Sequence, residues 1–364
     1  MRLEARARVG LGDALRAGAL AALAVFMVAA LLVYAAGAPV ARTFGLMASG
    51  GFGSVFALSE TLTRAIPLMF TGLAVTVAFK ARLFNIGAEG QLYAGAIAAV
   101  AVGGGALAAW PAPLVFAAML LAAIAAGALM LLGPALLKLH WNVDEVVSTL
   151  LLNFIILLGV GALLDGPMKD PLALGWPQSV ALHDELQLDK LIAQTRVHSG
   201  LLMSVGAALA LAALLHFTTL GFRIRALGAN PRGAAFAGVP VTGTMVAVAL
   251  LSGGLAGLAG AVEVAGRAGY VTLDMSPGYG YTGIIIAMLA GLNPLGVVGA
   301  SVLVAGVLVG ADSMSRSIGV PSYLADVVVA SAMLAVLTAA MLTRYRLRFD
   351  RAGSGRVAAK GATP

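Results

Sequence analysis

Apolar runs of bilayer-crossing length recur from one end of this 364-residue chain to the other. A helix that crosses the ~30 Å hydrocarbon core needs about 20 mostly apolar residues. Such runs stand at 17–36, 58–79, 84–105, 112–133, 146–164, 200–219, 241–264 and 322–343. Residues 279–312 are a harder case, because Gly291-Leu292-Asn293-Pro294-Leu295-Gly296 interrupts them. They are short for two full crossings and long for one, so they form a tight helical pair or a re-entrant hairpin. Both options leave the exit side unchanged. The expected fold is an all-α, polytopic membrane helical bundle of 8–10 transmembrane helices with both termini on one side. Composition agrees: 60% of residues are hydrophobic and 11% charged, against ~45–50% and ~25% in soluble domains.

The first run follows Arg2, Arg6, Arg8 and Arg16. Its apolar stretch exceeds the ~7–15 residues of a cleavable secretory leader, and it reads as a retained anchor. With residues 1–16 placed in the cytoplasm, the inner segments carry sixteen Lys and Arg and the outer segments six, while Arg64 lies within a span. That bias follows the positive-inside rule, so the net charge of +7 is mostly a topology signal and no nucleic-acid partner is expected. Two connections are long: an outer, periplasmic segment at 165–199, read as a short amphipathic helix, and an inner one at 220–240. The basic tail at 344–364, with Arg346, Arg348, Arg351, Arg356 and Lys360, reads as disordered and held to anionic membrane lipid.

Charges at bilayer depth are costly and each is a functional candidate. Glu60–Arg64, Glu263–Arg267 and Asp312–Arg316 share i, i+4 spacing near outer span ends, where local pairing and snorkelling explain them. Asp326 has no basic residue nearby on its own helix and is a candidate for lining a path, or for simple solvation at the surface. Glu89 differs, sitting in the polar opening Phe84-Asn85-Ile86-Gly87-Ala88-Glu89-Gly90-Gln91. Asn85, Glu89 and Tyr93 recur at i, i+4, i+8 and share one helix face, with Gly87 and Gly90 on another that admits a close neighbour. This polar face either glues helices together or lines a central aqueous path. Gly253-x-x-x-Gly257 and Gly306-x-x-x-Gly310 match the small-residue pattern of helix contact.

Several chemistries find no support in the sequence. Cysteine is absent, which excludes disulfides, Cys-ligated metals and thiol catalysis. No phosphate-binding G-x-x-x-x-G-K-[ST] loop and no H-E-x-x-H occurs, and the four histidines are scattered. No catalytic residue, metal site or cofactor is expected.

Two stretches go beyond a generic membrane pattern. Residues 62–96, from Leu-Thr-Arg-Ala-Ile-Pro-Leu-Met-Phe-Thr-Gly-Leu-Ala through Phe-Asn-Ile-Gly-Ala-Glu-Gly-Gln-Leu-Tyr-Ala-Gly-Ala, resemble the second and third spans of ABC importer permeases. The particular likeness is to the branched-chain amino-acid/ribose permease superfamily. Thr219-Leu-Gly-Phe-Arg-Ile-Arg-Ala-Leu-Gly-Ala-Asn-Pro231, followed by Ala234-Ala235 and Ala237-Gly238-Val239, is similar to that superfamily's main cytoplasmic loop. The block Gly291–Gly296 also fits, so the likeness runs over about 60–340. Phe-Asn-Ile-Gly-x-Glu-Gly-Gln looks most like the nucleoside and simple-sugar branch. Ala229 stands where relatives often have Glu, which weakens a role for one charge there.

The resemblance implies that 17–343 is a permease domain whose inner loop carries the helix that docks on an ATPase. The ATPase-coupling candidates are Arg223, Arg225, Ala226, Gly228, Asn230, Pro231, Ala235 and Gly238; Asn85, Glu89, Tyr93 and Asp326 are the substrate-pathway candidates. It further implies an ABC ATP-binding subunit, a second and related permease subunit, a periplasmic solute-binding protein or lipoprotein, and a nucleoside or simple-sugar solute such as a pentose. Segment 165–199 is the candidate contact for the binding protein. Two other classes stay open: an ion-coupled secondary transporter using Glu89 or Asp326 as proton carrier, and a structural membrane partner with no path of its own.

Overall fold

The computed structural model describes residues 2–5, 11–35, 37–107, 110–319 and 345–348, with isolated positions between 323 and 338. The expected last span at 322–343 is thus seen only at scattered positions, and Asp326 and the tail beyond Arg348 lie outside the described residues. Tyr345–Arg348 (β2) pairs antiparallel with Arg2–Ala5 (β1), Glu4 opposite Arg346, where composition alone suggests no regular structure. Among the described residues every other regular element is helical.

Helices α1 (Leu11–Ala35) and α2 (Val40–Phe52) meet at a bend of 115°. Then come α3 (Val55–Lys80), α4 (Ala88–Ala101), α5 (Ala112–Trp141), α6 (Glu145–Asp165) and α7 (Gly200–Phe217). The short pair α8 (Thr219–Ala229) and α9 (Pro231–Phe236) precedes α10 (Val241–Glu263). Helices α11 (Tyr279–Leu289) and α12 (Pro294–Ile318) close the described bundle. Among the described residues six helices are each long and apolar enough to cross a membrane, or seven spans if the bent α1–α2 pair counts as one.

Local chemistry sets the helix ends. Ser54 accepts from Ala57 N–H to start α3, Asp144 from Val146 N–H to start α6, and Asn293 from Leu295 N–H, with Pro294 in the first helical position, to start α12. Helix α5 stops on Asn142 in the left-handed conformation.

Helix α3 is the centre of the bundle, and every residue from Ala65 to Ala78 on it is buried. Its apolar character all round, without amphipathic bias, matches that position. Small residues set the spacing of its neighbours. A Cβ on Gly253 would lie 2.2 Å from the Gly127 carbonyl oxygen, and one on Gly257 2.2 Å from that of Ala123, so α10 and α5 touch backbone to backbone. The Gly306 and Gly310 pair does the same for α12 against α2, meeting Phe52 and the Met47 carbonyl. Both small-residue patterns in the sequence are therefore helix contacts.

Contacts between helices sort the polar residues into two ends. Lys138 Nζ donates to the Arg82 carbonyl at 3.0 Å, and Arg82 reaches the Ala229 carbonyl at 3.2 Å. These, with α8 and α9, make the basic end. Glu60, Arg64, Arg267 and Asp312 gather at the opposite end.

The interrupted stretch 279–312 is a helical pair whose first leg is half-length. Helix α11 has 11 residues, about 16 Å, and a turn through Gly291 and Leu292, both at positive φ, leads into α12. Non-helical chain at 269–278 supplies the remaining approach from the far end. A second correction concerns α4: the expected span from residue 84 begins as helix only at Ala88, after a non-helical lead-in.

Candidate functional site

Two helices, α4 and α11, therefore begin inside the bundle rather than at its surface. A helix start leaves backbone N–H groups without intrahelical acceptors, and at membrane depth no water replaces them. Side chains supply the acceptors. For α11, Glu89 Oε2 accepts from Gly280 N–H at 2.6 Å and Ser276 Oγ accepts from Tyr279 N–H at 3.0 Å. Tyr93 ties the lead-in to α4, its hydroxyl donating to the Leu273 carbonyl (2.6 Å) and accepting from Ser276 N–H (3.2 Å). For α4, Asn153 Oδ1 on α6 accepts from Gly90 N–H at 2.8 Å while its Nδ2 donates to the Ile86 carbonyl at 2.9 Å.

Asn85 completes the joint. Its Oδ1 accepts from Gly87 N–H, and its amide pairs reciprocally with that of Gln91, each bond 2.9 Å long. Its Nδ2 also donates to Ser252 Oγ (3.1 Å), which donates onward to the Ala74 carbonyl (2.7 Å). The chain thus links α4, α10 and α3. Glu89 sits in the first turn of α4 as well as against the start of α11, so one carboxylate faces the positive ends of two helix dipoles. Contact there is tight: a Cβ on Gly280 would fall 2.2 Å from Glu89 N.

The spacing argument for a shared face is half right. Glu89 and Tyr93 lie on α4, but Asn85 precedes it in a non-helical turn, its N–H bonding the Leu83 carbonyl. Asn85, Glu89 and Tyr93 are 0%, 3% and 1% exposed, and each meets protein partners. Within this subunit they do not open to solvent. Gly87 and Gly90 admit a close neighbour as expected, and it is α6, through Thr149 and Asn153. Sequence reasoning missed Asn153, Ser252, Ser276 and Gly280. Two signals were available: an Asn mid-way along an otherwise apolar helix, and the break Ser276-Pro-Gly-Tyr-Gly280.

The expected local ion pairs also need correction. Glu263 and Arg267 do pair at i, i+4 (2.7 Å), but Arg64 pairs with Asp312 on α12 at 2.5 Å and Glu60 with Arg196 at 3.2 Å. Helix packing brought oppositely charged partners nearer than their helical neighbours. Among the described residues no group of three or more acidic or His side chains is placed to hold a metal ion.

At the basic end, Thr218 Oγ1 caps α8 and Asn230 Oδ1 accepts from Gly233 N–H to cap α9, with Pro231 in its first position. Arg223 and Arg225 are exposed, as are the apolar Phe222 and Phe236, the latter 97% exposed. Gly228 seats this pair on α3: its Cβ would lie 1.8 Å from the Lys80 carbonyl oxygen. The α8–α9 pair thus contacts the end of α3 through Gly228 and the chain just after α3 through the Arg82–Ala229 bond.

The family described as branched-chain amino acid transport system / permease component matches residues 57–337. This chain belongs to that family. Among its relatives is the glucose ABC transporter permease protein of Haloferax volcanii, 36% identical over 92% of this chain and 90% of the relative. The guanosine ABC transporter permease protein of Bacillus subtilis is 33% identical over 92% of this chain and 93% of the relative. The nucleoside ABC transporter permease protein of Lactococcus lactis is 28% identical over 77% and 78% of the two chains.

The far end of this permease carries segment 165–199. It is not the expected amphipathic helix; a three-residue 3₁₀ turn at Asp184–Leu186 is its one helical element. Its backbone instead bonds the lead-in of α11, through Ser179 N–H to the Val271 carbonyl (3.0 Å) and Leu182 N–H to that of Gly269 (2.8 Å). Pro167, Pro171 and Pro177 cannot donate to a helix ladder, which favours this irregular course. His198, at its end, is 1% exposed, and its Nδ1 accepts from Gly200 N–H. Burial pushes its pKa down to about 4.

Proposed function

We propose that this permease is the membrane-spanning subunit of a bacterial ATP-driven importer, forming a path for nucleosides across the cytoplasmic membrane by alternating access. The carrying observation is the α8–α9 pair, an exposed helical hairpin at the basic end locked onto α3 through Gly228. In this reading the basic end faces the cytoplasm, and Arg225 to Val239 nests in a separate ATP-binding subunit. Closure of that subunit pushes the hairpin, and with it α3 and the start of α4. A second, related permease subunit completes the path, and a periplasmic binding protein delivers solute to the far end, where segment 165–199 is the proposed contact. Hydrolysis belongs to the partner; this chain does the carrying.

The nucleoside assignment rests on the Phe84–Gln91 motif and on the relatives named for guanosine and nucleosides. A simple-sugar solute is the second reading, favoured by the relative named for glucose. Calorimetry on the cognate binding protein with a panel of nucleosides and sugars decides between them. Glu89 is proposed to hold the joint between α4 and α11 that moves during transport. Inserting two glycines after Ala235 tests the coupling role: ATP hydrolysis should continue while uptake falls away. Coupled uptake at the original ratio would refute it.

A further inference from the structure

Tyr281 stands on the surface of this subunit near the middle of a span. Its hydroxyl accepts from Asn153 Nδ2 on α6 at 3.2 Å. Asn153 lies about 12 Å along α6 from its Glu145 end and about 18 Å from its Asp165 end. The same amide holds the Gly90 N–H and the Ile86 carbonyl, so the joint at α4 fixes the tyrosine from behind. Its other side is open: Tyr281 is 36% exposed, and Thr282 beside it is partly exposed. Among the described residues no acceptor meets the Tyr281 hydroxyl proton and no partner meets Thr282 Oγ1.

Lipid tails are a poor neighbour for this face. Hydroxyls without partners are costly in hydrocarbon, and tyrosine collects at the membrane interfaces rather than at mid-depth. The chain leading into α11 makes the same case. It descends from Leu273, which packs near Gly161 about 6 Å inside the Asp165 end of α6, to Tyr281. Leu273, Asp274 and Pro277 on it are exposed. Among the described residues no acceptor meets the N–H groups of Thr272, Leu273 or Asp274, and Asp274 has no ion pair. Non-helical backbone at membrane depth is tolerated only against protein or water, and a lone carboxylate favours water. We propose that the edge from Asp274 to Thr282 faces the water-filled solute path and that Tyr281 is a solute contact, its ring stacking on the base of a nucleoside. Every base has a π-face, so one fixed ring serves solutes with different bases, and the spare hydroxyls of Tyr281 and Thr282 pair with the solute's polar groups. The inference rests on the transport reading above and gives the membrane subunit its own part in recognising solute.

The chain lacks cysteine, so single cysteines report directly. The assembled importer is placed in lipid nanodiscs, where a charged maleimide meets both faces. P277C and T282C should label about tenfold or more faster than L158C on α6, because the reactive thiolate forms only in water, although Leu158 is the more exposed residue at 76%. Labelling of both as slow as that of L158C would overturn the proposal. Uptake is then measured in vesicles with saturating binding protein loaded with uridine, inosine, ribose or glucose. Tyr281→Phe keeps the ring and loses the bond to Asn153, whereas Tyr281→Leu loses both. Maximal nucleoside uptake should stay within about twofold for Tyr281→Phe and fall by about tenfold or more for Tyr281→Leu, within the range of a lost base–aromatic stack. Equal falls in the two variants would make Tyr281 a strut for Asn153 and overturn the contact, as would import of ribose or glucose by the parent with no import of nucleoside. Labelling needs no ATP. Reactive cysteines without ATP-driven uptake retain the wet face and remove the importer reading, whereas uptake with inert cysteines does the reverse.

Discussion

Replacing Glu89 by Gln alters charge while keeping shape, and its cost can be worked from the contacts of the carboxylate. The 2.6 Å bond from Gly280 N–H is charge-assisted, worth ~1.5–3 kcal/mol against ~0.5–1.5 for a neutral one. Losing the charge therefore removes about 1–1.5 kcal/mol. The carboxylate also faces two helix starts, where a partly buried charge contributes up to ~2 kcal/mol. Burial of the carboxylate opposes its charged form and offsets part of this, so the expected net loss is about 1–2 kcal/mol. Glu89→Ala should cost more, about 3–5 kcal/mol, because Gly280 N–H then has no acceptor and a void opens beside α11. At roughly 2 °C per kcal/mol for a chain of this length, Glu89→Gln should lower the thermal aggregation midpoint of the detergent-purified complex by roughly 2–4 °C. Uptake by the folded fraction should fall less steeply than stability. If Glu89→Gln leaves the midpoint unchanged within experimental scatter and abolishes uptake, the carboxylate acts in the path itself and the joint argument fails.

Other expectations follow from the same contacts. Gly228→Ala forces a Cβ against the Lys80 carbonyl oxygen, an overpacking of about 1–3 kcal/mol, and should lower solute moved per ATP without clearing the subunit from membranes; an unchanged ratio contradicts the seating of α8 on α3. Arg64→Ala should destabilise by about 1–2 kcal/mol, since its pair with Asp312 is partly exposed at 18% and 38%. The Arg64→Ala/Asp312→Ala double variant should recover about 1 kcal/mol relative to additivity in a thermal-shift cycle, and strict additivity would deny the pair. His198 has a folded pKa of about 4, below its ordinary 6.5, so the unfolded chain binds the extra proton between those values and stability must fall as pH drops from 6.5 toward 4. The loss approaches ~3 kcal/mol at the lower limit. His198→Asn, which retains an acceptor for Gly200 N–H, should flatten that part of the stability profile; an identical pH dependence assigns the effect to other groups.

The sequence made the helices legible because each apolar run carries its own evidence, and it marked α10 and α12 as contact helices because glycine at four-residue spacing has one main use in a membrane, while their partners α5 and α2 come only from the packing. It was silent where the deciding partner lay far away in the chain. Glu60 and Arg64 share a helix face, yet each found an opposite charge on another segment, Arg196 and Asp312; spacing reports which neighbours are possible and not which are nearest after packing. Asn85 looked helical because its period suited α4. Its side chain instead bonds Gly87 N–H from outside the helix, a local competition with helical geometry that periodicity cannot register. The lead-in at 269–278 was hidden for a related reason. Its backbone groups are satisfied by Tyr93 and by segment 165–199, and without those partners no non-helical chain could be assigned to that depth.

The account turns on the source of the work. Vesicles holding the purified permease pair without its ATP-binding subunit, given solute-loaded binding protein and an imposed proton or sodium gradient, should show no accumulation of nucleoside or sugar. Adding the ATP-binding subunit and ATP should then produce accumulation against the solute gradient. Concentrative uptake driven by either ion gradient alone would contradict it.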